Sequence, residues 1–176
     1  MILALLLQTA VAATPAPARA PAQAAQAWKF ADRTNAAGVR SASASVTGRD
    51  GLSRFVVKCD VASEPIVSVQ FIQPTAIGQS ADKAVSVRFD GGPAFTYLWQ
   101  FPGTATYITD PEAITKLSSF LVKSKQVGVE TTNASNFAVQ AVFDAPGNDA
   151  LVRKVLGVCG YTLGVVPPPP APKDPQ

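Results

Sequence analysis

The sequence predicts a mostly β protein of the α+β class, built as a twisted antiparallel sheet or small β-sandwich of about eight strands with two helices. Three observations support this fold class. Apolar and polar residues alternate with period two in several separate segments. Helical spacing of apolar residues occurs in two segments of the second half. The two cysteines, Cys59 and Cys159, each lie in an apolar stretch, so a bond between them would tether the last helix to the sheet.

The first residues are typical of a cleaved signal peptide, residues 1–12. An apolar run is followed by Ala10-Val11-Ala12, which fits the small-x-small cleavage pattern, with Val11-Ala12-Ala13 as the neighbouring alternative. No Lys or Arg precedes the run, which departs from the usual signal. A membrane-spanning helix needs about 20 apolar residues, and Gln8, Thr9 and the prolines interrupt the run. We therefore expect an exported protein without stable membrane insertion after signal removal.

Two Pro-rich segments flank the predicted folded unit. Residues 13–27 are almost all Ala, Pro, Thr and Gln, which predicts a flexible spacer. Residues 162–176 end in PPPPAPKDPQ, which predicts an extended, disordered tail. A single β-rich domain is therefore expected over residues 28–161.

The strands are predicted from alternation and from one turn. Residues 39–47 carry small side chains and should form a thin strand near a sheet edge. Asp90-Gly91-Gly92-Pro93 is a hairpin signal, with residues 94–101 as the returning strand. The other predicted strands have one polar face, and their apolar positions are Phe55, Val57, Cys59, Val61; Val67, Val69, Phe71; Val85, Val87, Phe89; Phe137, Val139, Ala141 and Phe143.

Two helices are predicted from capping residues and apolar stripes. Asp110-Pro111-Glu112 supplies an N-cap, a first-turn proline and an acid that the helix dipole favours. The stripe that follows is Ile114, Leu117 and Leu121. The second helix should begin near Asn148 and stop just before Gly160, with an apolar face of Leu151, Val152, Val155, Leu156 and Cys159.

The composition excludes several classes of function. The chain has 176 residues, 15% of them charged, with 2 Cys and no His. Without imidazole there is no Ser–His or Cys–His nucleophile and no His-ligated zinc site. Two cysteines cannot form a Cys-only zinc site or hold an iron–sulfur cluster. A net charge of +3 is too small to indicate nucleic-acid binding. We expect no cofactor, no metal and no nucleic-acid partner.

Cys59 and Cys159 are predicted to pair, because disulfides persist in exported proteins. The alternative is two independent buried thiols, which is more typical of cytosolic proteins. A loop of about 100 residues gives the bond about 4.7 kcal/mol in the chain-entropy model. The bond should therefore be structural.

Three segments together resemble a known family. VSVRFDGGPAFTYLW is similar to the Arg-x-Asp-Gly-Gly-Pro hairpin, with a following Trp, of the type VI secretion-associated VasI/TagO-like proteins. AITKLSSFLVKSKQVGVE resembles their "LxxFL" helix and the strand after it, and FDAPGNDALVRKVLGVCGY resembles their Cys-Gly-aromatic ending. Upstream, Trp28 and the segment from Leu52 to Cys59 stand where the family has a Trp and a "VxRC" strand.

The resemblance implies a periplasmic, disulfide-linked β-rich accessory protein of the cell envelope. The chain departs from the family at Lys58, where the family has Arg, and it lacks the N-terminal Cys-bearing segment of members encoded in secretion loci. The resemblance therefore implies fold and compartment more directly than membership of a working secretion system. The favoured hypothesis is a non-enzymatic domain that binds an envelope protein partner.

Three candidate binding surfaces follow from the residues. Phe95, Tyr97, Trp99 and Phe101 share one strand face; they could stack on a glycan, which is the alternative function, although a core role is favoured. Arg88 and Asp90 lead into the hairpin turn and could contact a partner; alternatively Asp90 bonds to its own turn and Arg88 forms a surface ion pair. Arg54 and Lys58, with Arg88 in the vicinity, could form an anion-binding patch, although an ordinary solvated strand face is favoured.

A His-independent hydrolase is the least favoured hypothesis. Its only local support is the pairing of Ser119 with Lys123, or of Ser118 with Glu112, on the first helix. Lys123 would have to be buried to lose its proton. No G-x-S-x-G, P-loop or C-x-x-C motif is present. We therefore expect no catalytic residues.

Overall fold

The computed structural model describes residues 26–78 and 82–169, which form nine strands and two helices. The predicted signal peptide, most of the predicted spacer and the last seven residues lie outside the described residues. In chain order the elements are β1 (Lys29–Thr34), β2 (Arg40–Thr47), β3 (Arg54–Val61), β4 (Pro65–Ile72), β5 (Lys83–Phe89), β6 (Ala94–Trp99), β7 (Ala105–Ile108), α1 (Pro111–Leu121), β8 (Gln126–Thr132), β9 (Ala138–Asp144) and α2 (Ala150–Val158).

The strands form two antiparallel sheets, which confirms the predicted mostly β fold class. One sheet has the order β1-β2-β3-β4-β7 and the other the order β6-β5-β8-β9. The sheets meet at two corners. A bridge between Gln100 and Tyr107 joins the end of β6 to β7, and the Arg49 N–H donates to the Val142 carbonyl of β9 at 2.9 Å. β1 and β7 were not predicted, because β7 has only four residues and the residues of β1 do not alternate between apolar and polar.

The core lies between the two sheets and beneath both helices. Phe55 of β3 and Phe71 of β4 point inwards and meet Phe143 of β9, with ring centroids 5.6 and 6.0 Å apart respectively. α2 packs against β2 and β3, and α1 packs against β4. Both helices contribute to the same core as the four-stranded sheet. The inner face of the five-stranded sheet is therefore covered, and the outer face of each sheet is left open.

The predicted disulfide is present between Cys59 and Cys159, with their Cα atoms 5.8 Å apart. Cys59 is fully buried on the inner face of β3, and Cys159 ends α2. The bond therefore fastens α2 to the five-stranded sheet, as the sequence predicts. Proteins with such a bond are typical of oxidising compartments.

Both predicted helices form close to their predicted ends. The Asp110 carboxylate caps α1 by accepting from the Ala113 N–H at 2.8 Å. α2 begins at Ala150, whose N–H donates to the Asn148 side chain. Gly160 follows α2 with φ +74°, which favours glycine. Neither helix is long and apolar enough to cross a membrane, and the described residues contain no other helix.

The packed part of the chain continues past Tyr161, where the sequence places its end. Leu163 packs against the core, and the Thr115 hydroxyl donates to the Val165 carbonyl at 3.4 Å. The sequence did not predict this packing, because the three apolar residues Leu163, Val165 and Val166 beside the polyproline run are too few to define a period. The predicted disordered tail therefore starts too early for residues 162–165.

Candidate functional site

The two outer sheet faces differ in chemistry. We call the outer face of the four-stranded sheet the recessed face, formed by Ser86, Arg88, Gly128, Glu130, Gln140 and Val142. We call the outer face of the five-stranded sheet, near its β1 edge, the serine face, formed by Lys29, Arg33, Ser41, Ser43, Ser45, Arg54 and Lys58.

The aromatic side chains of β6 do not form an exposed platform. Trp99 is fully buried, and Phe101, which lies beyond the end of β6, is 3% exposed. Tyr97 is half-buried, and burial raises the pKa of its hydroxyl with a further contribution from the nearby charge of Asp110. A sugar ring cannot stack on a buried indole, so the alternative of a glycan platform at Tyr97 and Trp99 is wrong, and the favoured core role is confirmed for Trp99 and Phe101. The large rings fill the core instead.

Phe95, at the other end of β6, joins a small aromatic cluster. Its ring centroid lies 5.9 Å from that of Phe89 and 4.7 Å from that of Phe120 on α1. The Lys116 ammonium lies 4.9 Å from the Phe95 centroid, a distance typical of cation–π contacts. The cluster fastens the β5–β6 hairpin to α1.

The Asp90 turn has a different role from the one predicted. Asp90 and Gly91 have φ values of 52° and 72°, and the Gly92 N–H donates to the Phe89 carbonyl at 2.9 Å. Two consecutive residues with positive φ define the tight hairpin turn that suits the twist of a sheet. The Asp90 carboxylate accepts from the backbone N–H groups of Lys125 and Gln126 at 2.9 and 3.0 Å. Asp90 therefore joins the hairpin to the start of β8 instead of bonding within its own turn.

Arg88 lies on the recessed face and is exposed. Its one side-chain hydrogen bond among the described residues runs from Nη1 to the Gly92 carbonyl at 3.5 Å, which is long. No salt bridge among the described residues includes Arg88 or Glu130. The predicted ordinary ion pair of Arg88 is therefore wrong: the register aligns Arg88 with Gly128, and Glu130, opposite Ser86, forms no salt bridge with it.

A recess of about 570 Å³ opens beside Arg88. Its floor includes Gly128, where an added Cβ would meet no described atom closer than 4.0 Å, so the missing side chain creates the depression. Glu130 and Gln140 also line it, both exposed. Small-molecule sites are usually enclosed and mostly apolar, whereas this recess presents charges of both signs.

The rim of the recess is held by two acids with lowered pKa values. Arg49 donates to Asp144 at 2.7 Å, and the Gln26 N–H donates to the same carboxylate at 2.8 Å. These hydrogen bonds lower the pKa of Asp144. At Asp50, burial pushes the pKa upwards, but hydrogen bonds from the Ser53 hydroxyl and from the Leu52 and Ser53 N–H groups outweigh it. Both acids therefore stay ionised and rigidify the loop beside the recess.

Arg54 and Lys58 lie on the serine face, away from Arg88. Arg54 donates to the Ser45 hydroxyl at 3.2 Å, and Lys58 forms a salt bridge with Asp60 at 2.9 Å. Arg88 belongs to the other sheet. The expected grouping of Arg88 with Arg54 and Lys58 is therefore wrong, because the two segments pair into different sheets.

Sequence reasoning missed Lys29 and Arg33, which the structure places on the serine face. The register aligns Lys29 with Ser45 and Arg33 with Ser41. Lys29 and Arg33 share one side of this segment with Ala31, and Phe30 shares the other side with Asp32, so neither side is wholly polar or apolar and no period-two signal marks the strand. Only the register with β2 shows which face these cations share.

The serine pairs on α1 do not form a catalytic arrangement. The Ser119 hydroxyl donates to the Thr115 carbonyl at 2.7 Å, and Ser118 is fully buried without a hydrogen-bond partner in the described part of the chain. Trp99 Nε1 and Thr106 Oγ1 are the other buried polar atoms without a described partner. Over residues 26–78 and 82–169, no three acidic or cysteine side chains come together as a metal-binding group.

Comparisons with protein-family models, with curated proteins and with solved structures find no match to this chain.

Proposed function

We propose that this chain is an exported, non-enzymatic accessory protein of the periplasmic envelope that binds a protein partner through the recessed face. The role implied by its resemblance to the type VI secretion-associated VasI/TagO-like proteins is of this kind. One observation carries the proposal: an open sheet face holds a recess of about 570 Å³ beside charged side chains that have no ion-pair partner among the described residues.

The chemistry of the recess favours a polypeptide ligand. Arg88 and Glu130 stand on neighbouring strands, since Arg88 aligns with Gly128 and Ser86 with Glu130. A positive and a negative charge on neighbouring strands favour a partner that places an acid opposite Arg88 and a base opposite Glu130. A protein that placed like charges at these positions would be repelled. Gln126 and Gln140 add amide donors and acceptors around the same recess.

Filling the recess tests this surface without changing its charge. Gly128→Val adds a β-branched side chain that suits a strand, at a position with open space above the backbone. A photo-crosslinking amino acid at Gln140 should capture a protein in producing cells, and Gly128→Val should abolish that product. The same crosslinker at Ser43 on the serine face is the matched control. A product that survives Gly128→Val, or that resists protease, would contradict the proposal.

The periplasmic location has its own test. The predicted cleavage site and the disulfide both support export. The mature protein recovered from the envelope should begin at Ala13 or Thr14, as read by N-terminal sequencing. Recovery of the chain with Met1 intact in the cytoplasm, with both thiols reduced, would contradict export.

A further inference from the structure

We propose that the serine face binds an anionic polysaccharide, meaning a chain of sugars that carries carboxylate or sulfate groups. This inference goes beyond the protein-binding role proposed above and uses the opposite side of the sandwich.

The serine face gathers positive charge from two strands. Lys29 and Arg33 lie on β1, and Arg54 and Lys58 lie on β3, with the serines of β2 between them. Alternation places one described acid, Asp60, on the outer face of this sheet, and it is bonded to Lys58. The excess on the face is thus three positive charges, which equals the net charge of +3 of the complete chain. An excess of one sign on one surface attracts ligands of the other sign.

The strand geometry spaces these charges regularly. Four residues along a strand span about 13 Å, and the strands on either side of β2 lie roughly 10 Å apart. Lys29 and Arg33 thus form one wall of a shallow trough, and Arg54 and Lys58 form the other. Two depressions, of about 450 and 310 Å³, lie along it and share Lys29, Ser45 and Arg54.

The floor of the trough favours a sugar polymer over other polyanions. Ser41, Ser43 and Ser45 present a row of hydroxyls, each half-buried, which can donate to and accept from sugar hydroxyls. The outward positions of β1, β2 and β3 carry no aromatic side chain on which a nucleic-acid base could stack. Their apolar members are Ala31 and the buried Val56, so no large exposed apolar side chain there could enter a lipid surface.

The cations of the serine face are also available to bind a ligand. No ion pair within the described chain involves Lys29, Arg33 or Arg54. Arg54 is positioned by its bond to Ser45, which keeps the guanidinium over the trough. The small side chains of β2 leave room between the two rows of cations for a polysaccharide chain to lie flat.

Binding is tested with heparin as the sulfated probe, polygalacturonate as the carboxylated probe and dextran as the neutral control, each titrated by calorimetry. We expect both anionic probes to bind and dextran not to bind. The double variant Lys29→Ala/Arg33→Ala should weaken binding about tenfold, because two exposed charges each contribute up to about 1 kcal/mol. Raising the salt concentration should weaken it further.

A matched control removes the same two charges elsewhere. Lys123→Ala/Lys125→Ala leaves the net charge identical to that of the first double variant, and both side chains are exposed on the segment between α1 and β8 of the other sheet. It should change the dissociation constant by less than about twofold, since charges beyond a Debye length are largely screened. An equal loss in both double variants would overturn the assigned site.

Ser43→Val separates sugar recognition from charge attraction alone. The substitution keeps every cation and suits a strand, but it removes a hydroxyl and raises the floor of the trough. We expect it to weaken polysaccharide binding several-fold. Unchanged binding would reduce the face to a non-specific cationic patch and overturn the proposal. Tighter binding of duplex DNA or of phosphatidylglycerol vesicles than of either polysaccharide would overturn it as well.

Discussion

The recessed face and the serine face are two sides of one sandwich, yet their surface chemistry differs. Both belong to antiparallel sheets whose inner sides form a common core. On the recessed face, one glycine opens a depression between charges of opposite sign. On the serine face, small hydroxyl side chains separate two rows of cations. The difference shows that small residues, here a glycine and a row of serines, determine the shape of a sheet surface as much as large side chains do.

The strongest test asks whether the two faces depend on one scaffold. Removing the Cys59–Cys159 bond by Cys59→Ala/Cys159→Ala frees a loop of 100 residues and should lower the free energy of unfolding by about 4 to 5 kcal/mol. Urea unfolding followed by tryptophan fluorescence measures the loss. Because both sheets share the core, the serine face and the recessed face should unfold together. Two separate transitions would show that the faces belong to independent units.

A more local change should affect mainly the recessed face. Asp90→Ala removes the acceptor for two backbone N–H groups and places alanine at positive φ, so a loss of about 2 to 3 kcal/mol is expected. Hydrogen exchange should rise first at Lys125 and Gln126. Asp90→Asn is the control, because asparagine tolerates this backbone conformation and keeps an acceptor oxygen. Equal losses in the two variants would contradict the assigned role.

Acid should weaken the loop beside the recessed face. The pKa of Asp144 is lowered in the folded state by its bonds to Arg49 and Gln26, and that of Asp50 is lowered overall by its hydrogen bonds. A lowered folded pKa contributes stability above the unfolded pKa of about 3.9, and the contribution is lost as pH falls through the folded value. The free energy of unfolding should therefore decrease below about pH 4, at the rim of the recess first.

Asp144→Asn provides the control for that pH dependence. It should cost about 1 kcal/mol near neutral pH, because a partly exposed ion pair contributes little, and the acid-induced loss should become shallower. Chemical denaturation repeated across the pH range measures both effects. An unchanged slope in the variant would contradict the assignment of the acid sensitivity to this carboxylate.

The smallest effect on stability is expected at Arg88. Its exposed guanidinium has one long hydrogen bond among the described residues, so Arg88→Ala should change the free energy of unfolding by less than about 0.5 kcal/mol. Partner capture from Gln140 should nevertheless fall. A loss of several kcal/mol would place Arg88 in a buried pair and would make the hairpin motif a structural one.

Local signals in the sequence predicted much of the fold. Alternation identified the inward residues of β3, β4 and β5, and Asp110 with Pro111 marked the start of α1. The pairing of Cys59 with Cys159 followed from compartment and count. The strand faces and the helix start depend on neighbours within a few residues, and two cysteines can form only one disulfide. The sequence alone is therefore enough to establish these features.

The candidate sites were predicted less well, because they depend on which strands become neighbours. For Trp99 a core role was favoured over a glycan platform, but only the packed core formed by the two sheets and the helices decides between them. Asp90 was assigned to its own turn, and the N–H groups that it accepts from come 35 and 36 residues later.

The sequence by itself determined the period-two faces, the helix caps and the disulfide of this protein. Only the tertiary structure decided that Arg88 lies on a different sheet from Arg54 and Lys58. It also decided that Lys29 and Arg33 lie on the same face as Arg54 and Lys58. The reason is physical: alternation fixes which side of its own strand a residue occupies, since successive side chains point to opposite faces. The register between strands fixes which residues of other strands lie beside it, and register is set by the packing of the whole core.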